Sequence, residues 1–391
     1  MAEKLDIVAA GHICLDIIPR FLYKGATEPS RVFQPGTLIK IGDAVMATGG
    51  SVSNTGIALS KLGCRVAYMS SVGDDDFGNI IIERMSKYGD VRGFHRNAEV
   101  GSSYSVIIAL PAVDRIILHN PGCNDFFTFD NLNWPVVATA RHFHLGYPPI
   151  MRSLYLDDGA ELKRILQEVR ALGLSTSIDM ALPDPESEAG QIDWQVWLRQ
   201  VLPYVDVFMP SLEEILCCLA HERWLAFRDA GMDSIAALAA DEYAALADAL
   251  LACGCALVIL KSGPQGLYAK TADSARMRQV PLFANQHSSD WANRELWGAS
   301  YQTDEILSAA GAGDSAIAGI LTALLHGKPM EEVLQWGNCL GYQNLRALDT
   351  TSGVGSFDET LQLLQMLTPN QLGPPNESWK PTAYPGVFTQ W

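Results

Sequence analysis

The chain has 391 residues, of which 48% are hydrophobic and 18% charged, and its formal net charge is −16. This length allows one large domain or two, with a sizeable buried core. The negative charge argues against nucleic acid and anionic membranes as partners, because both attract basic surfaces. No apolar run approaches the roughly 18 residues of a membrane span, and the first residues fit a β-strand better than a signal peptide. The eight cysteines form no CxxC pair, so we expect reduced thiols and a cytoplasmic protein.

The first third of the chain predicts strands, helices and a small β lid. In chain order the predicted elements are a strand at 4–10, a helix at 53–63, a strand at 65–73, a helix at 77–89 and extended segments at 103–110 and 115–118. Ser53 or Asn54 is the expected N-cap of the first helix. The two extended segments have no helix between them, which predicts a hairpin. Together with the β-leaning stretch 17–48, the region 98–120 is expected to form the lid.

From residue 141 onward, predicted strands and helices alternate. The strands are expected at 142–146, 174–179, 205–209 and 256–261, and the helices at 157–172, 193–201, 211–219, 241–253, 313–326 and 330–345. Alternation of this kind predicts an α/β fold with a mostly parallel central sheet and helices on both faces. We expect one domain over 1–367, with the lid inserted from about 12–48 and 98–120. Residues 368–391 are then a C-terminal tail.

The sequence GAGD at 311–314 leads directly into an apolar helical pattern. Unpaired amides at a helix start attract anions, and small residues let an anion approach them closely. A carboxylate in the same place suits a base that takes a proton from a hydroxyl attacking a bound phosphoryl group. Two alternatives stay open. Asp314 could be only an N-cap, and the spacing Gly311-x-Gly313-x-x-Ala316 also fits a dinucleotide fingerprint, although no clear strand precedes it.

Two further motifs suit a polyhydroxyl ligand. Gly49 and Gly50 allow close backbone approach, and Asn54 offers both a hydrogen-bond donor and an acceptor. Asp16 follows the first strand at the edge where open α/β sheets bind ligands. Turn, cap and solvated strand-end roles are the alternatives for these residues. Arg115 and His119 of the predicted hairpin are candidates to reach a substrate beneath the lid.

The order of these pieces resembles the ribokinase-like, PfkB-type carbohydrate kinase family. The motifs that carry the resemblance are Asp16, Gly49-Gly50 with Asn54, SVGDDDFG at 71–78, NPGCND at 120–125, VDVFMPSLEEI at 205–215, LKSGPQG at 260–266 and GAGD at 311–314. They span almost the whole chain in the family's order. The resemblance implies a ribokinase-like three-layer sandwich with a β lid, ATP as phosphoryl donor, a divalent metal such as Mg²⁺, and a sugar-like acceptor.

The resemblance also assigns roles to individual positions. Asp314 would be the catalytic base, and the amides of Gly311, Ala312 and Gly313 would form the anion hole. The positions implied for the acceptor are Asp16, Gly49, Gly50, Asn54 and Asn124, with Arg115 added from the hairpin. Those implied for the nucleotide are Ser211, Lys261, Gly263, Gly266 and Asn338. Glu214 would help to organise Mg²⁺.

Some positions depart from the family's pattern. Ser211 stands where an asparagine is usual, and it has a shorter side chain. Ser308, Ala309 and Ala310 replace the Asp-Thr-Thr that helps many members hold a monovalent cation, so K⁺ activation is not carried over. These changes leave the base and the amide cradle in place.

The sequence therefore predicts an ATP-dependent kinase that phosphorylates an alcohol group of a sugar or nucleoside. The scarcity of basic residues in the acceptor motifs favours an unphosphorylated acceptor. A non-catalytic sugar- or nucleotide-binding protein on the same scaffold is the alternative. A homodimer formed through the lid is expected from the resemblance.

Overall fold

The computed structural model describes residues 4–23, 25, 28–111, 115–283, 288–372, 374 and 378–390. Its strands are β1 (Ile7–Gly11), β2 (Cys14–Phe21), β3 (Ile41–Gly49), β4 (Val66–Gly73), β5 (Asp90–Asn97), β6 (Tyr104–Ile108), β7 (Ile116–Asn120), β8 (His142–Gly146), β9 (Ser175–Asp179), β10 (Val207–Phe208), β11 (Leu257–Lys261), β12 (Leu267–Thr271), β13 (Glu295–Gly298), β14 (Lys380–Pro381) and β15 (Val387–Thr389).

The helices lie between these strands in the chain. They are α1 (Pro29–Val32), α2 (Ser51–Lys61), α3 (Asp76–Met85), α4 (Trp134–Val137), α5 (Arg152–Tyr155), α6 (Ala160–Ala171), α7 (Trp194–Val201), α8 (Leu212–Leu219), α9 (His221–Asp229), α10 (Ser234–Ala237), α11 (Ala240–Ala252), α12 (Ser274–Met277), α13 (Ser288–Trp291), α14 (Ala312–Leu325), α15 (Met330–Leu345) and α16 (Phe357–Leu364). Within the described residues, no helix combines the length and the apolar character needed to span a bilayer.

The main sheet has eleven strands in the order β14-β15-β13-β12-β11-β10-β9-β8-β1-β4-β5. The strands from β11 to β5 in this order run parallel, and those from β11 to β14 are paired antiparallel. The predicted mostly parallel α/β sheet is therefore confirmed.

The core lies on both faces of this sheet. Along β1, Val8 and Ala10 pack into one buried cluster, which also contains Ile165 of α6. Ile7 and Ala9 pack into the opposite cluster, with the helices α2, α14 and α15. Because successive side chains of a strand point to opposite faces, a continuous apolar run marks a strand that is covered on both sides.

A second sheet has four strands in the order β3-β2-β6-β7. Strands β6 and β7 form the predicted hairpin, with antiparallel register from Tyr104 opposite Asn120 to Ile108 opposite Ile116. The expected lid range 98–120 includes residues 112–114, which lie outside the described residues. Strand β2 pairs with both neighbours and carries Asp16 within reach of β3.

Two expectations about local structure change. Helix α2 begins at Ser51 with Gly50 at the N-cap, so the expected cap at Ser53 or Asn54 is wrong. The left-handed backbone of Gly50, with φ of 84°, starts the helix earlier, and Asn54 therefore projects from inside it. Within the expected tail 368–391, β14 and β15 extend the edge of the main sheet.

Helix α14 runs through the interior, and all its side chains from Asp314 to Leu325 are buried. It packs so closely on α15 that a Cβ at Gly319 would lie only 2.5 Å from the carbonyl oxygen of Trp336. Glycine at this position therefore permits the approach of the two helices. Residues 299–310, all described, contain only an isolated bridge at Tyr301 and no strand. The dinucleotide fingerprint considered for Gly311 requires a strand directly before the turn, and that context is missing.

Candidate active site

The polar side chains of the candidate site gather where parallel strands end. The carboxyl ends of β1, β8, β9 and β11 share one edge of the main sheet, and the first turn of α14 meets them there. Ligands of open α/β sheets bind at this edge. The second sheet supplies the side chains of Asp16, from β2, and His119, from β7.

Asp314 is 3% exposed and receives hydrogen bonds on both carboxylate oxygens. Asn54 Nδ2 donates to Oδ2 over 3.0 Å, and Thr55 Oγ1 donates to Oδ1 over 3.3 Å. The hydroxyl of Tyr147 lies 2.8 Å from each oxygen. Burial raises the pKa of the Asp314 carboxyl, and the hydrogen bonds from Asn54 and Tyr147 oppose this rise by favouring the charged form.

The turn before Asp314 is shaped by contacts from distant segments. Gly311 is the N-cap of α14 with a left-handed φ of 75°, and a Cβ there would lie 2.7 Å from Cβ of Thr350. Thr350 Oγ1 donates to Asn54 Oδ1 over 2.8 Å. Asn344 Nδ2 donates to the carbonyl oxygen of Ala310 over 2.6 Å. The small residues of the turn are thus needed for close packing as well as for exposing backbone.

Lys261 lies between the carboxylates and the helix start. Its Nζ donates to Asp179 Oδ1 and, over 2.7 Å, to the carbonyl oxygen of Met209. A Cβ built on Gly313 would lie 3.9 Å from Nζ, so the ammonium stands beside the first turn of α14. Desolvation disfavours the lysine's charge, but the neighbouring carboxylates of Asp179, Glu214 and Asp314 outweigh it and raise the pKa of Lys261.

Asp179 and Glu214 place two further carboxylates beside this lysine. Asp179 is 2% exposed, and burial raises the pKa of its carboxyl well above the usual value despite the ion pair with Lys261. Glu214 Oε2 accepts from the amide of Ser211 over 2.6 Å, and Ser211 Oγ accepts from the amide of Glu214 over 3.2 Å. This capping box fixes Glu214 at the start of α8. Asp179, which pairs with the Lys261 ammonium, and Glu214, whose charge acts on it, offer the carboxylate oxygens that a hard divalent cation such as Mg²⁺ prefers.

The paired glycines leave space for the polar side chains of Asp16, in the second sheet, and of His12, just after β1. A Cβ at Gly49 would lie 2.2 Å from Asp16 Oδ2, and a Cβ at Gly50 would lie 2.6 Å from His12 Nδ1. Desolvation raises the pKa of the Asp16 carboxyl, and Arg115 is near enough to lower it. Burial lowers the pKa of His12 to about 3 and also lowers the pKa of His119. Both rings are therefore neutral at neutral pH.

Two predicted site asparagines are engaged within the fold. Asn124 is fully buried, and its amide donates to the carbonyl oxygen of Ile13 over 2.7 Å. Asn338 Nδ2 donates to the carbonyl oxygen of Gly298 over 3.0 Å. In the β11–β12 connection, Gly263 and Gly266 have positive φ of 48° and 91°, and a Cβ at Gly266 would lie 2.1 Å from the carbonyl oxygen of Gly298. The glycines therefore allow close backbone packing here.

The residues that sequence reasoning missed are Tyr147, Asp179, Thr55, Asn344 and Thr350. A signal exists for two of them. Tyr147 directly follows β8, and Asp179 ends β9, so both stand at the carboxyl ends of predicted parallel strands. Nothing local marks Asn344 or Thr350, because each acts through a partner that is distant in the chain.

Comparison with known proteins identifies the family to which this arrangement is similar. A family profile described as pfkB family carbohydrate kinase matches residues 6–354. An uncharacterized sugar kinase of Archaeoglobus fulgidus is 26% identical over 283 residues, covering 72% of this chain and 92% of the relative. A 2-dehydro-3-deoxygluconokinase of Bacillus subtilis is 21% identical over 338 residues, covering 84% of this chain and 90% of the relative.

Solved structures share the fold at low sequence identity. The ribokinase of Arabidopsis thaliana complexed with ribose and ATP superposes with a TM-score of 0.67 at 15% identity, covering 93% of this chain and 99% of the other. A putative ribokinase II from E. coli in complex with ATP and Mg²⁺ gives a TM-score of 0.64 at 21% identity, with coverage of 93% and 99%. The predicted ribokinase-like architecture is confirmed.

Proposed function

Because this chain belongs to the pfkB family of carbohydrate kinases, we propose that it transfers the terminal phosphoryl group of ATP to a hydroxyl of an unphosphorylated sugar. The curated relatives are named as sugar kinases, which supports a sugar over a nucleoside as the acceptor. The observation that carries the proposal is the position of the Asp314 carboxylate, on the first turn of α14 and beside the Lys261 ammonium.

Asp314 is the proposed general base. The acceptor hydroxyl donates its proton to the carboxylate while its oxygen forms a bond to the terminal phosphorus of ATP. The bond from that phosphorus to the bridging oxygen breaks, ADP leaves, and the proton stays on Asp314 until solvent takes it. Asn54 and Thr55 hold the carboxylate in one orientation, so they position the base rather than bind the acceptor.

Tyr147 stands where an acceptor hydroxyl would donate. Its hydroxyl bridges both oxygens of Asp314, and the tyrosine is the first residue after β8. An acceptor that reaches Asp314 displaces this hydroxyl, and the tyrosine returns when the product leaves. Hydrogen bonds at a catalytic base commonly rearrange between the free enzyme and the substrate complex.

The phosphates are proposed to lie against the start of α14. The backbone at Gly311, Ala312 and Gly313 supplies the positive end of the helix, and Lys261 adds a charge beside it. When bound by the Glu214 and Asp179 carboxylates, Mg²⁺ supplies further neutralisation of phosphate charge. The base and the anion-binding backbone then belong to one helix turn, which fixes their relative positions.

The acceptor is proposed to lie between the two sheets, against Asp16. The Asp16 carboxylate is only partly buried and can accept hydrogen bonds from two vicinal hydroxyls of the acceptor. Gly49 and Gly50 allow Asp16 and His12 to approach the loop closely, and the exposed Arg115 is near enough to lower the pKa of the Asp16 carboxyl. We place the nucleotide along the Gly263–Gly266 turn, with Ser211 and Asn338 as its proposed neighbours.

The test is an ADP-release assay with ATP, Mg²⁺ and a panel of sugars and nucleosides. We expect one class of unphosphorylated sugar to raise ADP release well above the rate without acceptor, with sugar phosphate formed in equal amount. Melting shifts with ATP and a sugar, but without ADP, would instead favour a non-catalytic binding protein.

A further inference from the structure

Three side chains of the types that bind metal ions lie close together where β1 leads into the second sheet. They are His12, just after β1, Cys14, the first residue of β2, and His119 of β7. One ligand atom from each side chain lies within 4.8 Å of the other two. Among the described residues, this is the single group of three or more such side chains that close together.

The separation of the two imidazoles suits a shared cation. Their Nε2 atoms lie 3.3 Å apart. Two nitrogens bound tetrahedrally to zinc at about 2.0–2.1 Å would lie about 3.4 Å from one another. The thiol of Cys14 completes a set of two imidazoles and one sulfur, which is a soft donor set suited to Zn²⁺ and poorly suited to Mg²⁺.

The hydrogen bond at the far side of the His119 ring supports a lone pair on the nitrogen that faces His12. Ser105 Oγ lies 3.1 Å from His119 Nδ1 and can accept its proton, which leaves Nε2 of that ring as an acceptor. His12 is 2% exposed, and its Nδ1 has no hydrogen-bond partner. Metal-ligating histidines are commonly oriented by a hydrogen bond at the other ring nitrogen. A cation between the two Nε2 atoms would replace the hydrogen-bond contact that they make with each other.

We propose that His12, Cys14 and His119 bind one Zn²⁺-type cation, separate from the carboxylate site for Mg²⁺. On binding, the Cys14 thiol releases its proton to solvent and a sulfur–metal bond forms, while both neutral imidazoles bind through Nε2. Three protein ligands leave one tetrahedral position for a water or a ligand oxygen. Cys14 Sγ is 3.4 Å from Asp16 Oδ1, so the bound cation would lie near the carboxylate that we propose to bind the acceptor. The cation site does not depend on kinase activity.

The test uses Co²⁺ as a spectroscopic probe on the full chain after chelator dialysis. We expect one Co²⁺ per chain, a thiolate-to-cobalt charge-transfer band and the absorption of tetrahedral cobalt. Stoichiometric Zn²⁺ should abolish both signals, and a large excess of Mg²⁺ should not. Cys14→Ser should remove the charge-transfer band, and His119→Gln should weaken binding at least about tenfold.

Cys64→Ser is the matched control. Its buried thiol lies 3.7 Å from Thr322 Oγ1 and outside the cluster, so this variant should bind cobalt as the parent chain does. His119 lies on an exposed strand, and His119→Gln therefore tests the site even if Cys14→Ser misfolds. Absence of stoichiometric cobalt in the parent chain, or parental binding in a folded His119→Gln variant, would overturn the proposal. Neither cobalt result bears on the proposed role of Asp314, which is tested separately by kinase activity.

Discussion

The hydroxyl of Tyr147 lies 2.8 Å from both carboxylate oxygens of Asp314, although 167 positions separate the two residues in the chain. The tyrosine extends from the end of β8, and the aspartate begins the buried helix α14. A neutral donor thus covers a buried carboxylate at the edge of the sheet. This relationship makes Tyr147 the first residue to test beside the proposed base.

Tyr147→Phe should move the acid limb of the pH profile to higher pH. A general base is active when deprotonated, so kcat/KM falls as the pH drops through the pKa of Asp314. Burial already raises that pKa, and the Tyr147 hydrogen bond opposes the rise. Removing the hydroxyl removes this opposition. The measurement is kcat/KM against pH for both proteins.

Tyr268→Phe serves as the control for this experiment. Its buried hydroxyl donates to Glu295 Oε1 over 2.9 Å and does not contact Asp314. This variant should keep the parental acid limb. If Tyr147→Phe also keeps it, the hydroxyl does not influence the ionisation that limits turnover.

Lys261→Met should destabilise the fold, because it leaves the buried Asp179 without its cation. Removing one partner of a buried ion pair typically costs about 3–5 kcal/mol of unfolding free energy. The double variant with Asp179→Asn should recover much of this loss. Urea denaturation of the two single variants and the double variant measures the coupling.

Lys328→Met is the matched surface control. Lys328 Nζ lies 2.9 Å from Glu332 Oε2 in a partly exposed pair four residues apart on the chain. Such pairs contribute about 0.3–0.5 kcal/mol. A loss for Lys261→Met no larger than for Lys328→Met would show that Asp179 and Lys261 do not interact as the structure places them.

Gly49→Ala should weaken acceptor binding through Asp16. The new Cβ would lie 2.2 Å from Asp16 Oδ2, so the carboxylate must move. We expect KM for the sugar to rise at least about tenfold, which is the effect of losing about 1.4 kcal/mol. KM for ATP should change much less. Steady-state kinetics with each substrate varied in turn makes the comparison.

Gly341→Ala is the control for a new methyl group. The nearest atom to its Cβ would be the carbonyl oxygen of Ala312 at 3.6 Å, which is ordinary contact, and Gly341 lies inside α15. Alanine is the better helix former, so this variant should be as stable as the parent or more so. An equal rise in both KM values for Gly49→Ala would argue for general damage instead of a lost acceptor contact.

Six of the eleven strands of the main sheet (β1, β4, β8, β9, β10 and β11) could be predicted from the sequence, because they are short, mostly apolar runs covered on both faces. β1 and β8 show this, with every residue of each strand buried. The strands β5, β12, β13, β14 and β15 of the same sheet were not predicted. β14 and β15 have only two and three residues within a polar, proline-containing stretch. The pairing of β15 with β13, and of β14 with β15, depends on tertiary contact and leaves no periodic pattern.

In the candidate site too, some residues could be predicted from the sequence and others could not. Asp314 and its glycines could be identified from their place before an apolar helix, but its partners could not. Asn54 lies 260 positions away, and its amide contacts Asp314 from inside α2, which starts at Ser51. Thr350 contacts Asn54 from a segment without any motif. Such pairs arise only when the helices pack, and local sequence rules do not encode them.

The most direct measurement is the turnover of Asp314→Asn with the sugar that the parent chain phosphorylates. The amide keeps the shape of the side chain but cannot take a proton. We expect kcat to fall about 10³-fold, within the range typical of a general base, while ATP binding by calorimetry stays close to parental. A folded Asp314→Asn variant with near-parental kcat would contradict the account.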